Sequence, residues 1–427
     1  MTQEILLANG MTVLACPMDQ LHSIEMGLYF KGGALYENRQ NQGISHLLEH
    51  LCFRSLNGLT QRELYAKLDA IGATLRGSTY QEALTFRLET APKYFDAALE
   101  LMSRFFLPYT WTPEEIDQEK RVVLRQIQND APGFQEKILT KYWQSKAGAF
   151  PLMGTEKSVT EMTAATIHKW KKNVFQPQNA CFVITGNFSQ GMLSAVQSVF
   201  EEIANTTQEP PFEQTTPVDF CMRDGRSDQV INGDWDWAQV QLSFDVDDDL
   251  VFPLCTDVLN WILGVGLSSS LFMELRETLA LTDDIQSRVE TAGLFRRLTI
   301  DYFVPHEHLV ESLERIGTIL SGFKRYVPVS QMERTRAFFT DNLRFQYDQA
   351  SEMNELMGFA WLSDNIAETD LETQAAMYED MTCEDLNNAA QAIFRPENLV
   401  LTLEKNPKHI ASKAVKDAIA RLRRELA

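Results

Sequence analysis

MTAATIHKWKKNVFQPQNACFVITGN, residues 162–187, and MTCEDLNNAAQAIFRPENLVLTLEKN, residues 381–406, follow one plan. Phe175 and Phe394 each stand 13 residues after the opening Met, and each is followed by a proline and an asparagine. Each copy reads as a helix that ends at an F-x-P-x-N turn and feeds a short apolar strand, CFVITG in one and LVLTLE in the other. A repeat at this distance predicts two related domains. The helix expected after Thr112 has a looser counterpart after Val327, in PVSQMERTRAFFTDNL. Between the halves, NTTQEPPFEQTTP (205–217) has the Thr, Pro and Gln content of a linker. The expected division is a first domain over 1–204, a linker over 205–232 and a second domain over 233–427. Each half opens with alternating strands (MTVLACPM and SIEMGLYF; VQLSFDV) and continues with long amphipathic helices. The expected fold class is therefore α+β, two similar domains, each a mixed sheet covered by helices.

With 427 residues, 44% of them apolar and 10% aromatic, the chain can bury more than one core. Its formal charge of −20 opposes attraction to nucleic acid or to an anionic membrane. Two readings of that charge stay open: general solubility, or an acidic interior that attracts basic peptides. Six cysteines without a C-x-x-C, and no basic start followed by an apolar core, make a reducing cytoplasm the expected location. No apolar run reaches the ~18 residues of a membrane span.

GISHLLEHLCF, residues 43–53, carries the chemistry. On a helix, His46, Glu49, His50 and Phe53 share one side, while Ile44, Leu47, Leu48 and Leu51 cover the other. The spacing lets two imidazoles reach one ion with a carboxylate beside it, placed to take a proton from a water that the ion polarises. Random placement of 7 histidines would give an H-x-x-E-H in roughly one or two such chains in a hundred. The plainer reading of these residues is a solvated helix face carrying two satisfied histidines.

FKGGALYENRQNQGISHLLEHLCFRS (30–55) resembles the start of the pitrilysin/insulinase family of inverzincin metallopeptidases, which includes mitochondrial processing peptidase. The resemblance continues through IGATLRGSTYQEALTFRLE, PEEIDQEKRVVLRQI, the FQPQN turn and LSSSLFMELRETLAL, and so covers nearly the whole chain. It implies half of a four-domain clamshell that pairs with a second copy or a related subunit, and Zn2+ as cofactor. His46 and His50 would bind the zinc and Glu49 would be the general base. Glu119 matches the family's supporting glutamate on a second helix, for which Thr112, Pro113 and Glu115 form the start signal. The strand expected over Arg76 to Glu89 would be the edge to which an extended peptide adds, with Arg76-Gly77 in place of the family's Asn-Ala.

Two positions depart from the family. Its third metal ligand is a glutamate, and Gln126 stands there. An amide oxygen supplies no charge to offset the dication, so metal binding should weaken; Asp130 is an alternative donor without precedent in the family. In the second half, Arg276 matches an arginine that holds the substrate carbonyl, but the tyrosine expected seven residues later is Asp283, which cannot donate a hydrogen bond when ionised. The expected function is a zinc metalloendopeptidase that cleaves unstructured peptides inside a dimeric chamber, with the Arg/Tyr pair supplied by a partner. A catalytically impaired subunit that binds peptide or supports an active partner is the alternative.

Overall fold

The two repeat copies fold alike in the computed structural model, which describes residues 2–129, 151–206, 228–247, 250–292, 295–364 and 370–427. Thr163 and Thr382 cap the helices Ala164–Val174 and Cys383–Ile393, each hydroxyl accepting a backbone N–H from three residues on. The F-x-P-x-N turn then closes both helices in the same way. The Asn179 amide donates to the carbonyls of Val174 (2.9 Å) and Lys31 (2.8 Å), and the Asn398 amide to those of Ile393 (2.8 Å) and Asp245 (2.9 Å). Each asparagine thus ties a helix end to the end of a neighbouring strand. The aromatic of the motif packs on that strand too, Phe175 against Phe30 at 4.8 Å and Phe394 against Phe244 at 5.2 Å.

Around this hinge each half builds one sheet. The first holds β1 (Gln3–Leu6), β2 (Thr12–Pro17), β3 (Ile24–Lys31), β6 (Thr74–Thr79), β7 (Ala83–Thr90) and β8 (Ala180–Gly186), in the order β1-β2-β8-β3-β7-β6. A two-stranded ribbon, β4 (Ser55–Leu56) with β5 (Leu59–Thr60), stands apart. The second sheet runs β11 (Ile285–Ala292), β12 (Phe295–Pro305), β10 (Trp237–Val246), β13 (Leu399–Lys405), β9 (Gln229–Asn232). Read from the other end, it repeats the order of the first without β1. In each sheet the repeat strand is an interior one, with one parallel neighbour (β2 beside β8, β9 beside β13) and antiparallel pairing elsewhere. The expected architecture of two similar mixed sheets covered by helices is the one observed.

The division along the chain differs from the expected one. One compact unit comprises 1–217 with 343–371, and the other 218–342 with 372–427. The helix Ala350–Leu362 therefore belongs to the first unit although it lies in the second half of the sequence. It covers the face of β3 that carries Glu25, Gly27 and Tyr29: the Asn354 amide donates to the Val183 carbonyl (3.1 Å), and the Tyr29 hydroxyl lies 3.0 Å from Asn354. Helical periodicity shows that a helix has a buried face, not which sheet buries it. Within the range expected as linker, Gln229–Asn232 is the edge strand β9; residues 207–227 lie outside the described ones. The opposite face of β3 builds the first core, where Phe30 meets Phe86 and Phe106. The second core packs Val240, Leu242 and Phe244 under the helices Leu309–Arg325 and Cys383–Ile393, which bury Leu313, Ile316 and Leu386. Among the described residues no helix is long and apolar enough to cross a membrane.

Candidate metal centre

The H-x-x-E-H stretch forms helix α1 (Ile44–Arg54), and the apolar positions expected to face inward, Ile44, Leu47, Leu48 and Leu51, are fully buried. Its start is set by a G-x-x-x-E segment just before it, Gly33 to Glu37. The buried Glu37 carboxylate accepts from the backbone N–H groups of Gly43 (2.7 Å) and Ser45 (2.9 Å), placing an anion at the positive end of α1. Burial pushes the Glu37 carboxyl up to about 7 against the pull of those bonds. Gly43 takes φ 81° at this start, in the left-handed region where a side chain is strained.

The outward face of α1 holds His46 and His50 with ring centres 4.7 Å apart, both half-buried. Opposite them runs the helix Pro113–Asn129, whose start carries the expected capping box: Thr112 N–H donates to Glu115 (2.7 Å) and Glu115 N–H to the Thr112 hydroxyl (3.2 Å). Ile116, Glu119, Val123 and Gln126 lie along one stripe of this helix. The pairings are ordered: Glu119 Oε2 lies 3.3 Å from His50 Nδ1, and Gln126 Oε1 lies 3.2 Å from His46 Nε2. The two helices run antiparallel there, so positions seven apart on one serve positions four apart on the other. Glu119 also takes Arg54 at 2.5 Å. It contacts the His50 ring and stays two turns from the Gln126 position.

Glu49 is held from the side. The Thr79 hydroxyl, on β6, donates to Glu49 Oε2 at 2.5 Å, and His46 Nδ1 lies 3.8 Å from the same oxygen. Burial alone would raise the Glu49 and Glu119 carboxyls, but their bonds to histidine, Thr79 and Arg54 more than offset it, and both lie below the ordinary range. Burial opposes protonation of His46, yet Glu49 and Gln126 lift it above its ordinary value. Neither Thr79 nor the capping role of Glu37 was readable beforehand, because no spacing rule links residues on different elements.

The stretch expected as one strand from Arg76 to Glu89 is a hairpin, β6 and β7 joined through residues 80–82, with Tyr80 N–H bonded to Ala83 O at 2.8 Å. Tyr-Gln-Glu supplies no glycine or proline, so the turn left no signal. Among the described residues β6 is the sheet's last strand, and it lies beside α1. A Cβ on Gly77 would come within 2.6 Å of the Phe53 ring and 3.0 Å of Glu49. An alanine at this position would crowd Phe53, which accounts for Gly77; nothing in the structure explains Arg76.

Do these residues suit a divalent ion? Among the described residues no three His, Cys, Asp or Glu side chains converge as a metal-holding group, and the oxygen that meets His46 is the amide of Gln126. Its oxygen faces the free edge of His46 at 3.2 Å, about the separation of two ligands that share one tetrahedral zinc. With His50 Nδ1 occupied by Glu119, Nε2 is left for the ion. The separation of Gln126 and His46 fits a shared ion, and the donor set is one negative charge short. Asp130 lies outside the described residues. In the second unit, Arg276 sits on a π-helical turn, half-exposed, with its guanidinium 4.7 Å from the Phe272 ring and 3.8 Å from Glu277. Asp283 is exposed.

Comparison with known proteins identifies the family of the chain and its fold. The chain matches the insulinase (peptidase family M16) model over residues 13–156 and the peptidase M16 inactive domain model over 161–338. It is 24% identical over 358 residues to an uncharacterized zinc protease of Rickettsia felis, covering 82% of this chain and 85% of that one. The beta subunit of rat mitochondrial-processing peptidase is 29% identical over 160 residues, 36% of this chain and 32% of that one. A protease from Helicobacter pylori has the same fold, with a TM-score of 0.83 at 19% identity over 95% of this chain and 99% of that one. So does a peptidase M16 inactive domain from Pseudomonas fluorescens, also at 0.83, with 15% identity over 95% and 98%. The two models share one family and together span most of the chain, which belongs to the insulinase family of M16 peptidases.

Proposed function

We propose that this chain is a zinc-dependent endopeptidase subunit that cleaves unstructured peptides. The observation that carries the reading is the approach of Gln126 to His46 at 3.2 Å, opposite a glutamate already held by Thr79. His46, His50 and Gln126 would hold the ion, which when bound would polarise the scissile carbonyl and an attacking water. Glu49 takes the proton of that water, and its lowered pKa keeps it ionised and ready to do so. Glu119 fixes the ring of His50. The free edge of β6 offers backbone groups to an extended peptide, so a folded protein would be a poor substrate. Asp283 cannot donate to an oxyanion, so the reading includes a second copy or a related subunit whose Arg/Tyr pair completes a shared chamber.

The neutral amide of Gln126 favours a second reading, an impaired subunit that binds peptide or supports an active partner. Zinc titration and hydrolysis of an unstructured fluorogenic peptide, alone and with an M16 subunit carrying the Arg/Tyr pair, separate the two. The endopeptidase reading expects less than one zinc per chain after dialysis against a mild chelator. It also expects slow cleavage that the partner accelerates and that Glu49→Gln abolishes. Cleavage that is absent in both settings, or indifferent to Glu49→Gln, would leave the impaired subunit.

A further inference from the structure

The second unit contains a cavity of about 100 Å³ between the segment around residues 261–269 and the first turns of the helix Val329–Gln346. Its wall includes Trp261, Ser269, Gln331, Arg334, Thr335 and Phe338. Trp261 and Phe338 stack at 4.0 Å with their planes 22° apart, which gives one flat apolar side. Trp261 begins a π-helical turn, Trp261–Val265, closed by the Gly266 N–H on the Trp261 carbonyl at 3.1 Å. Such widened turns recur at functional sites. They are costly in regular helix, and here the turn delivers Ser268 and Ser269 to the cavity.

Two polar atoms on different elements are left unmatched at this cavity. Ser269 is 2% exposed and its hydroxyl has no hydrogen-bond partner; the Gln331 Oε1 atom is buried and has none either. Buried polar groups are nearly always satisfied, by protein, water or ligand. Arg334 adds a guanidinium whose Nε donates to the Ser330 carbonyl at 3.2 Å, leaving its other nitrogens for an anion; no carboxylate among the described residues pairs with it. The cavity therefore presents one acceptor, one hydroxyl able to give or take, one cation and one flat apolar wall.

This combination selects a ligand class. A phosphate-rich ligand would need more than one cation, and a nucleotide more room. Water could satisfy the two orphan atoms but would use neither the cation nor the aromatic wall. The volume is below the ~150 Å³ that holds a benzene, but three of its lining residues, Ser268, Arg334 and Phe338, are exposed, so the cavity opens to solvent and takes the end of a ligand whose remainder stays outside. We propose that the cavity binds the α-carboxylate end of an apolar amino acid, either free or as the last residue of a short peptide. The carboxylate meets Arg334, the amino or amide N–H meets Gln331 Oε1 and Ser269, and the side chain lies along Trp261 and Phe338. The proposal stands apart from the metal-centre reading, since every residue involved belongs to the second unit.

Calorimetry and ligand-detected NMR on the full chain test it with leucine, N-acetyl-leucine, glycyl-leucine and leucinamide. A ligand of about nine heavy atoms should bind in roughly the millimolar range. Leucinamide, without the carboxylate, should bind about tenfold more weakly or worse. N-acetyl-leucine and glycyl-leucine binding as well as leucine would identify a peptide end; leucine alone would identify the free amino acid. Arg334→Gln, at an exposed position that should not disturb folding, is expected to erase the difference between leucine or N-acetyl-leucine and the amide. Ser269→Ala should weaken binding by several-fold to tenfold with an unchanged circular dichroism spectrum. No binding by any of the four at 20 mM (roughly tenfold above the expected range) would overturn the proposal and leave the cavity to water. Equal affinities in Arg334→Gln and the parent would overturn it as well.

Discussion

Replacing Gln126 by glutamate tests the metal centre most directly, because the change adds one charge at nearly constant shape. Gln126 Oε1 lies 3.2 Å from His46 Nε2, so a carboxylate there would stand where it can share an ion with that nitrogen. Changes behind the ligands alone alter metal affinity about 10- to 100-fold, and a charge among the ligands should do at least as much, about 1.4–2.7 kcal/mol or more. One effect opposes this gain. Without metal, a carboxylate at 3.2 Å favours the protonated form of His46, and that proton must leave before the nitrogen can bind. The gain should therefore be largest at pH 8 and shrink toward pH 6. The assay is competition for zinc against a chelator of known affinity, run at both pH values, with peptide hydrolysis in parallel. Gln126→Glu should bind zinc more tightly and cleave faster; adding Glu49→Gln should keep the zinc and lose the cleavage. Unchanged affinity at pH 8 in a folded Gln126→Glu variant would refute the assignment of Gln126 to the site.

Gly77→Ala should destabilise the chain by about 1–3 kcal/mol, since the new methyl meets Phe53 at 2.6 Å, and Phe53→Leu should recover part of the loss; additive denaturation midpoints would show that the two do not touch. Glu25 is buried 3.8 Å from Arg87, and burial, against the pull of that arginine, pushes its carboxyl up to about 7. Between the ordinary carboxylate range and pH 7 the unfolded chain has released a proton that the folded chain keeps. Glu25 therefore costs stability that grows as pH rises through this window, reaching about 3 kcal/mol above pH 7. Glu25→Gln should gain on the parent between pH 5 and pH 8 in urea unfolding, and parallel pH profiles would contradict this. Asn398→Ala leaves the carbonyls of Ile393 and Asp245 without their donor and should cost about 1–3 kcal/mol, seen as earlier urea unfolding of the second unit.

The repeat was legible because its residues act locally. Thr163 and Thr382 cap, the proline ends each helix, and Asn179 and Asn398 close the turn, all within one short stretch where spacing along the chain equals position in space. The histidines and Glu49 were legible for the same reason, since helical spacing alone puts them on one face. Reading the other elements from sequence worked less well. Ala350–Leu362 has the pattern of a buried helix in either unit, and only its docking on β3 shows which. The turn at residues 80–82 lacks turn residues, and Thr79 meets Glu49 only through that hairpin. Gly77 was visible as a departure from the family, but its cause, the Phe53 ring, lies on another element.

Why a neutral ligand need not empty the site follows from the charges around it. The three donors His46, His50 and Gln126 carry none, which taken alone would make a weak holder of a dication. Glu49 and Glu119, however, both lie below the ordinary carboxylate range and are ionised at neutral pH, each in contact with one of the histidines. Arg54 cancels part of the charge on Glu119 but touches none on Glu49. A dication between the two imidazoles would therefore still meet a negative surrounding, one atom layer further out than in a site with three charged or aromatic ligands. Electrostatic attraction weakens with that distance but does not vanish, most of all where the groups are shielded from water. The same carboxylates have a cost without an ion, because burial opposes their ionisation and they rely on histidine protons, Thr79 and Arg54 to stay charged. A helix face evolved only for solvent would have no use for two such groups aimed at paired histidines, and this imbalance is the reason to weigh zinc binding above a merely structural role for His46 and His50.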